Sequence, residues 1–322
     1  MIETKTVLVL GAGASYPYGL PLGSGLKRTI RKFLSGGCTP AATEAIRRVY
    51  NEADVRDFCV TFEESGQESI DNFLARRTEF MDLGKLVIAA IIKDAEDRWK
   101  LFDRNTEDDD HWYEYLWNRL SGGSWEDLRN NQLSIITFNY DRSLETYLGI
   151  AMQNTYGKAD VECAEMLKNT IPIVHVYGTV TGTYGASRGN NNKSDFLTPD
   201  ALKESATSLT VIPEGRDDSP ELHQARQMLS DADRIAFLGF GFDEINMKRL
   251  GGRATVRAYI DETHKQREVV GSAYLLTQME ISNLAQQYGL WGARSSIDRE
   301  SWPRPLLNER SRMLLRETLI LR

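Results

Sequence analysis

The chain opens with an uninterrupted apolar run, Thr6–Leu10, which is followed by glycines and then by residues with helical periodicity. An apolar run with β-branched members predicts a strand covered on both faces, as in a parallel sheet. Gly11 and Gly13 end that run, and apolar positions recur at helical spacing over residues 24–34. The start of the chain therefore predicts a strand, a glycine loop and a helix.

Residues 36–125 have a different pattern, because strand-like runs are few and apolar positions recur at helical spacing. Two long amphipathic segments, 41–52 and 84–101, are typical of helices that pack one face against a core. We expect this region to be a helical subdomain. It would be inserted into a Rossmann-like domain that is formed by residues 1–35 and 126–292.

Strand signals return after this region, in apolar runs at 133–138, 171–177, 234–238, 255–260 and 272–276. Helical patterns fill several of the gaps, notably at 141–151, 219–231 and 277–288. This alternation predicts βαβ units and an α/β fold with a doubly wound, mostly parallel sheet. Ligands of such sheets bind beyond the carboxyl ends of the strands, so the residues that follow each strand are the candidates for function.

The composition excludes several classes of protein. Lys and Arg number 39 against 46 Asp and Glu, a net charge of −7, so a broad basic surface for nucleic acid is not expected. The longest uninterrupted apolar stretch, 86–92, is far shorter than the roughly 18 residues of a membrane span. The first residues also lack the layout of a signal peptide. We expect a soluble, cytoplasmic protein that binds neither membrane nor nucleic acid directly.

Cysteine and histidine are too scarce for an obvious metal centre. The three cysteines, Cys38, Cys59 and Cys163, form no CxxC pair, which disfavours a disulfide framework and a thiolate zinc site. A three-histidine centre would need nearly all of the four histidines. No metal is therefore expected.

The first loop, Gly11-Ala-Gly13, has the start of a dinucleotide-binding pattern, in which glycines let the backbone approach a pyrophosphate. Tyr16 stands where the third glycine of GxGxxG would fall. No acidic residue ends a second strand about 20 positions later, where ribose would be bound. These departures disfavour a Rossmann oxidoreductase, which stays open as an alternative.

Four short motifs occur in order along the chain: Gly11-Ala-Gly13-Ala-Ser15 with Gly19-Leu-Pro21, Ser69-Ile-Asp71-Asn-Phe-Leu74, Thr137-Phe-Asn139-Tyr-Asp141, and Phe237-Leu-Gly239-Phe-Gly241-Phe-Asp243. Together they resemble the sirtuin-like family and its bacterial anti-phage defence branch, over about residues 5–280. The resemblance implies a protein that binds NAD⁺ and breaks its nicotinamide–ribose bond. The missing four-cysteine zinc ribbon separates this chain from the deacetylases of that family.

Three residues are candidates for catalysis. Asn139 follows a predicted strand, and its amide suits a ribose hydroxyl or the nicotinamide carboxamide, with capping of the next helix as the alternative. For Asp141, a catalytic role and a role as a helix cap are both open. His175 lies at the end of a predicted strand, where a neutral imidazole could accept a proton.

The position of the catalytic histidine is ambiguous. The family usually has it immediately before a glycine, and this chain has Tyr177 before Gly178 there. His175 and Tyr177 would share one face of the predicted strand. Either His175 acts as the base, or Tyr177 replaces the histidine and weakens the chemistry.

The resemblance also implies which residues contact the nucleotide: Gly11, Ala12, Gly13, Ala14, Ser15, Pro21, Asp71, Tyr177, Gly178, Gly239 and Gly241. It implies an NAD⁺ glycohydrolase (NADase) that depletes NAD⁺ in abortive infection, with no cofactor beyond NAD⁺ as substrate. The alternative is a catalytically weak regulatory or assembly subunit that binds NAD⁺ or ADP-ribose.

An NADase of this kind needs restraint in the resting cell. We therefore expect a homo-oligomer and an activating or regulating protein partner, for which a helicase-like ATPase or a short Argonaute are the candidates. The helical insertion and the tail over 293–322, with a helix predicted at 309–320, are the expected assembly surfaces.

Overall fold

The structure of the chain, a computed structural model, describes residues 1–33, 39–67, 69–103, 110–180, 197–211, 218–256, 259–260, 265–274, 276–289, 306–307 and 309–322. Its strands are β1 (Thr6–Leu10), β2 (Leu133–Thr137), β3 (Ile173–His175), β4 (Arg234–Leu238), β5 (Tyr259–Ile260), β6 (Lys265–Gln266), β7 (Glu268–Ser272) and β8 (Leu306–Leu307). Six of them form one sheet in the order β3-β2-β1-β4-β7-β8. Every neighbouring pair in that sheet is parallel.

The α-helices are α1 (Ala12–Ser15), α2 (Gly23–Arg31), α3 (Pro40–Arg47), α4 (Glu52–Glu64), α5 (Ile70–Leu74), α6 (Met81–Ala95), α7 (Arg98–Phe102), α8 (Trp112–Leu120), α9 (Ser143–Tyr156), α10 (Asp160–Thr170), α11 (Pro199–Ser208), α12 (Pro220–Asp231), α13 (Glu244–Arg249), α14 (Arg253–Val256), α15 (Gln278–Tyr288) and α16 (Ser311–Thr318). Short 3₁₀ turns lie at Tyr16–Tyr18, Thr78–Phe80 and Glu126–Asn130. No helix in these described ranges is long and apolar enough to cross a membrane.

The strand order confirms the predicted doubly wound α/β fold. Counted along the chain, the six strands of the sheet lie in the order 3-2-1-4-5-6, which is that of dinucleotide-binding Rossmann domains. The order reverses between β1 and β4, so the loops that follow these two strands face each other across the switch point. Leu10, Thr137, His175 and Leu238 are paired in register, and they place four strand ends at one level.

The sheet has a hydrophobic core on each face because side chains alternate along its strands. Leu8 and Leu10 of β1 point to the face covered by α3, α4, α6, α8 and α9. Val7 and Val9 point to the other face, which is covered by α12 to α15. The helical region between β1 and β2 therefore shares its core with one face of the sheet.

Two strand predictions were wrong in the second half of the sheet. Residues 255–260 were expected to be a strand, yet Arg253–Val256 is helical, and β5 pairs antiparallel with β6 outside the main sheet. The strand beside β4 is β7, so the predicted strand at 272–276 overlaps the observed strand only at Ser272. This slot is covered on both faces, and Val269 and Val270 of β7 are each 5% exposed there. A strand over residues 255–260 in this position would bury the charge of Arg257, which is costly.

The described part of the C-terminal tail belongs to this same domain. Its strand β8 pairs with β7 at one edge of the sheet. Helix α16, predicted over 309–320, buries Leu314 and Leu315 in the core shared with α8 and α9. Residues 290–305, which include the start of the predicted tail, lie outside the described residues.

Candidate active site at the carboxyl edge of the sheet

The glycine loop after β1 packs directly against the loop after β4. Gly13 N donates to Gly239 O at 3.0 Å, and Gly11 N donates to Leu238 O at 3.1 Å. A Cβ added to Gly239 would lie 2.1 Å from Ala14 N, and Gly239 has φ +54°. Glycine at 239 is therefore needed for close approach of two backbones at the switch point.

This packing changes what the loop offers to a ligand. The resemblance implied that Gly11 to Ser15 would contact the nucleotide. The amides of Gly11 and Gly13 already donate across the switch point, and Ala14 N donates to Gly11 O at 2.9 Å. Ala12 is the exposed residue of this loop.

Asn139 is fixed at the same edge by its amide group. Its Nδ2 donates to Gly11 O at 2.9 Å and to Ser15 Oγ at 3.0 Å. Both amide protons are thus used within the protein, while none of the described residues donates to Oδ1. The side chain is partly exposed and does not cap α9, so the capping alternative for Asn139 is excluded. Its Oδ1 is an oriented acceptor beside the glycine loop.

Asp141 behaves as a structural residue. It is 7% exposed, and Oδ1 accepts from Ser143 N at 3.1 Å at the start of α9. The Ser15 hydroxyl also hydrogen-bonds to it. Burial raises the pKa of the Asp141 carboxyl, although the hydrogen bonds from Ser143 and Ser15 oppose this. Asp141 thus holds the main chain just before α9, whose N-cap residue is Arg142, and its contacts support a structural role.

Ser15 links Asn139 and Asp141 by hydrogen bonds and is not an exposed contact for a phosphate. It is 4% exposed. Its hydroxyl accepts from Asn139 and bonds to Asp141, and it also contacts the Tyr113 hydroxyl of α8. The orientation of Asn139 therefore depends on a buried hydroxyl that the helical region helps to position.

His175 is held between Asn139 and Glu145. Its Nδ1 lies 3.0 Å from the main-chain oxygen of Asn139, and its Nε2 lies 2.9 Å from Glu145 Oε1. Arg142 Nε lies 3.3 Å from the same carboxylate oxygen. Glu145 was not recognised in the sequence, because a glutamate in the first turn of a helix is common and becomes informative only when β3 lies beside α9.

These contacts decide the charge of His175. A main-chain carbonyl and a carboxylate can only accept hydrogen bonds, so both ring nitrogens must carry a proton. Burial lowers the His175 pKa, but the Glu145 charge and the bonds to Glu145 and Asn139 outweigh it, and the net pKa is raised. Burial raises the Glu145 pKa, but the charges of His175 and Arg142 outweigh it, and the net pKa is lowered. Both pKa directions favour an imidazolium paired with a carboxylate.

Tyr177 lies on the opposite side of the sheet from His175, so the prediction that they share a face was wrong. Strand β3 ends at His175, and the chain turns there, with Gly178 N donating to His175 O at 3.2 Å. The Tyr177 side chain packs in the core of the other face, where its hydroxyl donates to Asn246 Oδ1. Arg249 Nη1 donates to the same hydroxyl at 2.8 Å.

The anchored phenol of Tyr177 is not arranged as a base. The residue is 4% exposed, and burial raises its pKa even though the Arg249 guanidinium opposes that shift. Arg249, itself 7% exposed, was not recognised in the sequence. It is one of the basic residues at the end of the short helix α13, and only the fold brings it to Tyr177.

The remaining predicted contacts differ in how closely they are packed. A Cβ on Gly178 would lie 1.9 Å from Ser208 O, whereas a Cβ on Gly241 would meet nothing within 4 Å. Gly241 is exposed, and Pro21 and Asp71 are partly exposed. The Asp71 carboxylate is near enough to raise the pKa of Tyr177. Gly178 thus serves close packing, while Gly241, Pro21 and Asp71 stay accessible near the edge.

The helical region reaches the site through two buried contacts. Trp112 Nε1 of α8 donates to Ala14 O at 2.8 Å. Glu96, at the end of α6, accepts from Arg142 N at 2.8 Å. Burial raises the Glu96 pKa to about 8, with the nearby carboxylates of Asp141 and Glu145 adding to that effect. The inserted helices therefore support the glycine loop and the start of α9.

No cluster of metal-binding side chains occurs among the described residues. Cys59 and Cys163 are buried in α4 and α10, and Cys38 lies outside the described residues. The sequence matches no protein-family model and no curated protein. The resemblance to the sirtuin-like family stays a hypothesis that rests on its motifs.

Proposed function

We propose that this protein is an NAD⁺ glycohydrolase whose substrate binds at the carboxyl edge of β1, β2 and β4. The observation that carries the proposal is Asn139. Its amide protons are held by Gly11 O and Ser15 Oγ beside the glycine loop, and its Oδ1 accepts no hydrogen bond from any described residue. A ribose hydroxyl, or a water that attacks the ribose, is the group such an acceptor would orient.

The reaction needs positioning more than strong acid or base. The bond between ribose C1′ and the nicotinamide nitrogen breaks with its electron pair on nitrogen, so nicotinamide leaves as a neutral molecule. The sugar passes through an oxocarbenium-like state. A water oxygen then bonds to C1′ and loses one proton to solvent, giving ADP-ribose. Asn139 would orient the ribose or this water.

In this proposal His175 is a positioning residue instead of the general base expected from the sequence. An imidazolium whose two nitrogens both donate has no lone pair with which to accept a proton. Its contact with the main-chain oxygen of Asn139 holds the segment that follows β2. Loss of His175 should therefore reduce activity through misplacement of Asn139.

The test measures nicotinamide release from NAD⁺ by the purified full chain. We expect Asn139→Ala to lower the rate on the order of 100-fold, the usual effect of removing one oriented polar group. Asn118→Ala is the matched control, because Asn118 is an exposed residue of α8 whose amide, among the described residues, bonds only to the Glu114 carbonyl. Thermal unfolding of each variant separates loss of chemistry from loss of fold. Equal rates in Asn139→Ala and wild type would refute the role of Asn139.

A second candidate is a regulatory or assembly subunit that binds NAD⁺ or ADP-ribose without turnover. The engaged nitrogens of His175 and the anchored hydroxyl of Tyr177 favour it, because neither group is poised to accept a proton. Saturable NAD⁺ binding without nicotinamide release would support this candidate over the enzyme. Absence of binding would reject both.

Assembly belongs to the same proposal. We propose that the protein forms homo-oligomers and is regulated by a protein partner, with a helicase-like ATPase or a short Argonaute as the candidates that the resemblance implies. The assay therefore also compares the protein at several concentrations and with any protein that copurifies. A concentration-independent monomer that releases nicotinamide at full rate alone would contradict this part.

A further inference from the structure

A cavity of about 660 Å³ opens at the free edge of β3, between α9 and α10. Its lining includes Arg142, Glu145, Gly149, Cys163, Lys168 and His175. Neither the glycine loop nor Asn139 is part of this lining. The cavity is thus separate from the proposed nucleotide site, although His175 borders both.

A glycine keeps one wall of this cavity open. Gly149 lies in the interior of α9, where glycine costs about 1 kcal/mol of helix stability relative to alanine. A Cβ added at Gly149 would meet nothing within 4 Å, so close packing does not require glycine there. The absent side chain leaves space in a cavity whose volume is typical of small-molecule sites.

The charges around the cavity favour an anion. Glu145 lies between Arg142 and His175, at 3.3 and 2.9 Å, so its charge is balanced within the protein. The cations Arg142, His175 and Lys168 then face Glu145 and Asp160, which leaves one positive charge in excess. Lys168 is exposed, and it has no ion-pair partner among the described residues.

The walls supply apolar surface and hydrogen-bonding groups. Ile150, Leu167 and Ile173 line the cavity together with the small residue Ala164. The side chain of Gln153 also lines it, and no described residue hydrogen-bonds to that amide. Apolar walls with a few polar groups suit a flat organic body, and the excess cation suits one acidic group on it.

We propose that this cavity binds a small organic anion with a flat apolar body, of the class of aromatic carboxylates and sulfonates. A ligand there would lie against His175, whose ring also bonds to the Asn139 main chain. Binding at this site does not depend on the proposed NAD⁺ chemistry, so the two proposals can fail separately.

The probe is 8-anilinonaphthalene-1-sulfonate, an aromatic sulfonate whose fluorescence increases in apolar surroundings. We expect one saturable site per chain in the wild type. Gly149→Leu puts a side chain into the cavity and should weaken this binding. Thr155→Leu, which adds the same side chain to an exposed position of α9 outside the lining, should leave it unchanged. Unchanged binding in a folded Gly149→Leu variant, or no saturable binding in the wild type, would overturn the proposal.

A second variant tests the acidic group of the ligand without risk to folding. Lys168→Glu alters an exposed side chain at the rim and should weaken dye binding by about threefold or more, as expected for reversal of one exposed charge. Lys203→Glu, at an exposed position of α11, makes the same change of net charge away from the cavity and should have no effect. Equal affinities in these two variants would overturn the assignment of an anion to this cavity.

Discussion

The ion pair between His175 and Glu145 makes the sharpest prediction. Their side chains are 12% and 11% exposed, so the pair is nearly buried. Replacing Glu145 with glutamine keeps the shape and an acceptor for Nε2 but removes the charge. Removal of one partner from a buried pair costs about 3 kcal/mol, because the remaining charge is left without compensation.

This cost should depend on pH with a defined sign. The raised pKa of His175 gives stability that is complete below its ordinary value of 6.5 and is lost as pH rises through the folded pKa. The lowered pKa of Glu145 gives stability that is present above its ordinary value of 4.5 and is lost as pH falls through the folded pKa. The pair therefore stabilises the fold most between pH 4.5 and pH 6.5.

Urea unfolding followed by circular dichroism measures the difference between wild type and Glu145→Gln. At about pH 5.5 the variant should lose about 3 kcal/mol. At alkaline pH, above the raised pKa of His175, the loss should be smaller, at about 1 kcal/mol, since His175 is then neutral and mainly the Arg142 pair is lost. Glu221→Gln, at an exposed position of α12, is the control and should change little at either pH.

Proton NMR tests the charge of His175 directly. The chain has only four histidines, so His175→Gln assigns its ring resonance by disappearance. That resonance should titrate above 6.5 in the wild type and at lower pH in Glu145→Gln, because burial then has less opposition. An unchanged titration, or an equal loss of stability at both pH values, would refute the imidazolium–carboxylate pair and return His175 to the role of a base.

Four further substitutions, one of them a control, test the packing around the site, each by urea or thermal unfolding. Gly239→Ala should cost more than about 2 kcal/mol, because its φ is +54° and its Cβ would collide with Ala14 N. Gly241→Ala should cost little, because its Cβ would meet nothing within 4 Å. Similar losses in the two variants would contradict the close approach at the switch point. Gly149→Ala should stabilise the protein by up to about 1 kcal/mol, since the new methyl group enters open space in a helix, and a loss of stability would show that the space is not there. Trp112→Phe should cost about 1–3 kcal/mol by leaving the buried Ala14 carbonyl without its donor, and a change below a few tenths would exclude that bond.

Much of the first half of the sheet could be predicted because its strands carry strong local signals. β1 and β4 have the predicted bounds, since each is a continuous apolar run with no competing pattern. β7 was missed because Glu268–Ser272 contains only two valines between polar residues. Its close packing against β8 depends on Gly271, where a Cβ would lie 2.7 Å from Leu306 Cδ2. That contact joins residues far apart in the sequence.

The candidate site could likewise be predicted only in part. The sequence located Asn139 and the glycine loops at strand ends, because parallel strands bring their carboxyl ends to one edge. It could not assign protonation to His175, since the two acceptors that hold it come from the segment after β2 and from α9. It also placed Tyr177 on the wrong face, because one turn after a short strand reverses the alternation of side chains.

The sequence by itself determined the elements that local residue patterns specify, namely the buried strands, the glycine turns and the amphipathic helices. It also determined the scarcity of metal ligands. Only the tertiary structure decided what those residues contact. It packed the backbone of Gly13 against that of Gly239, and it placed His175 between two hydrogen-bond acceptors. It also opened a cavity beside Gly149. The physical reason is that secondary structure follows from neighbours along the chain, whereas charge state, cavity volume and orientation depend on groups that folding brings together from distant positions.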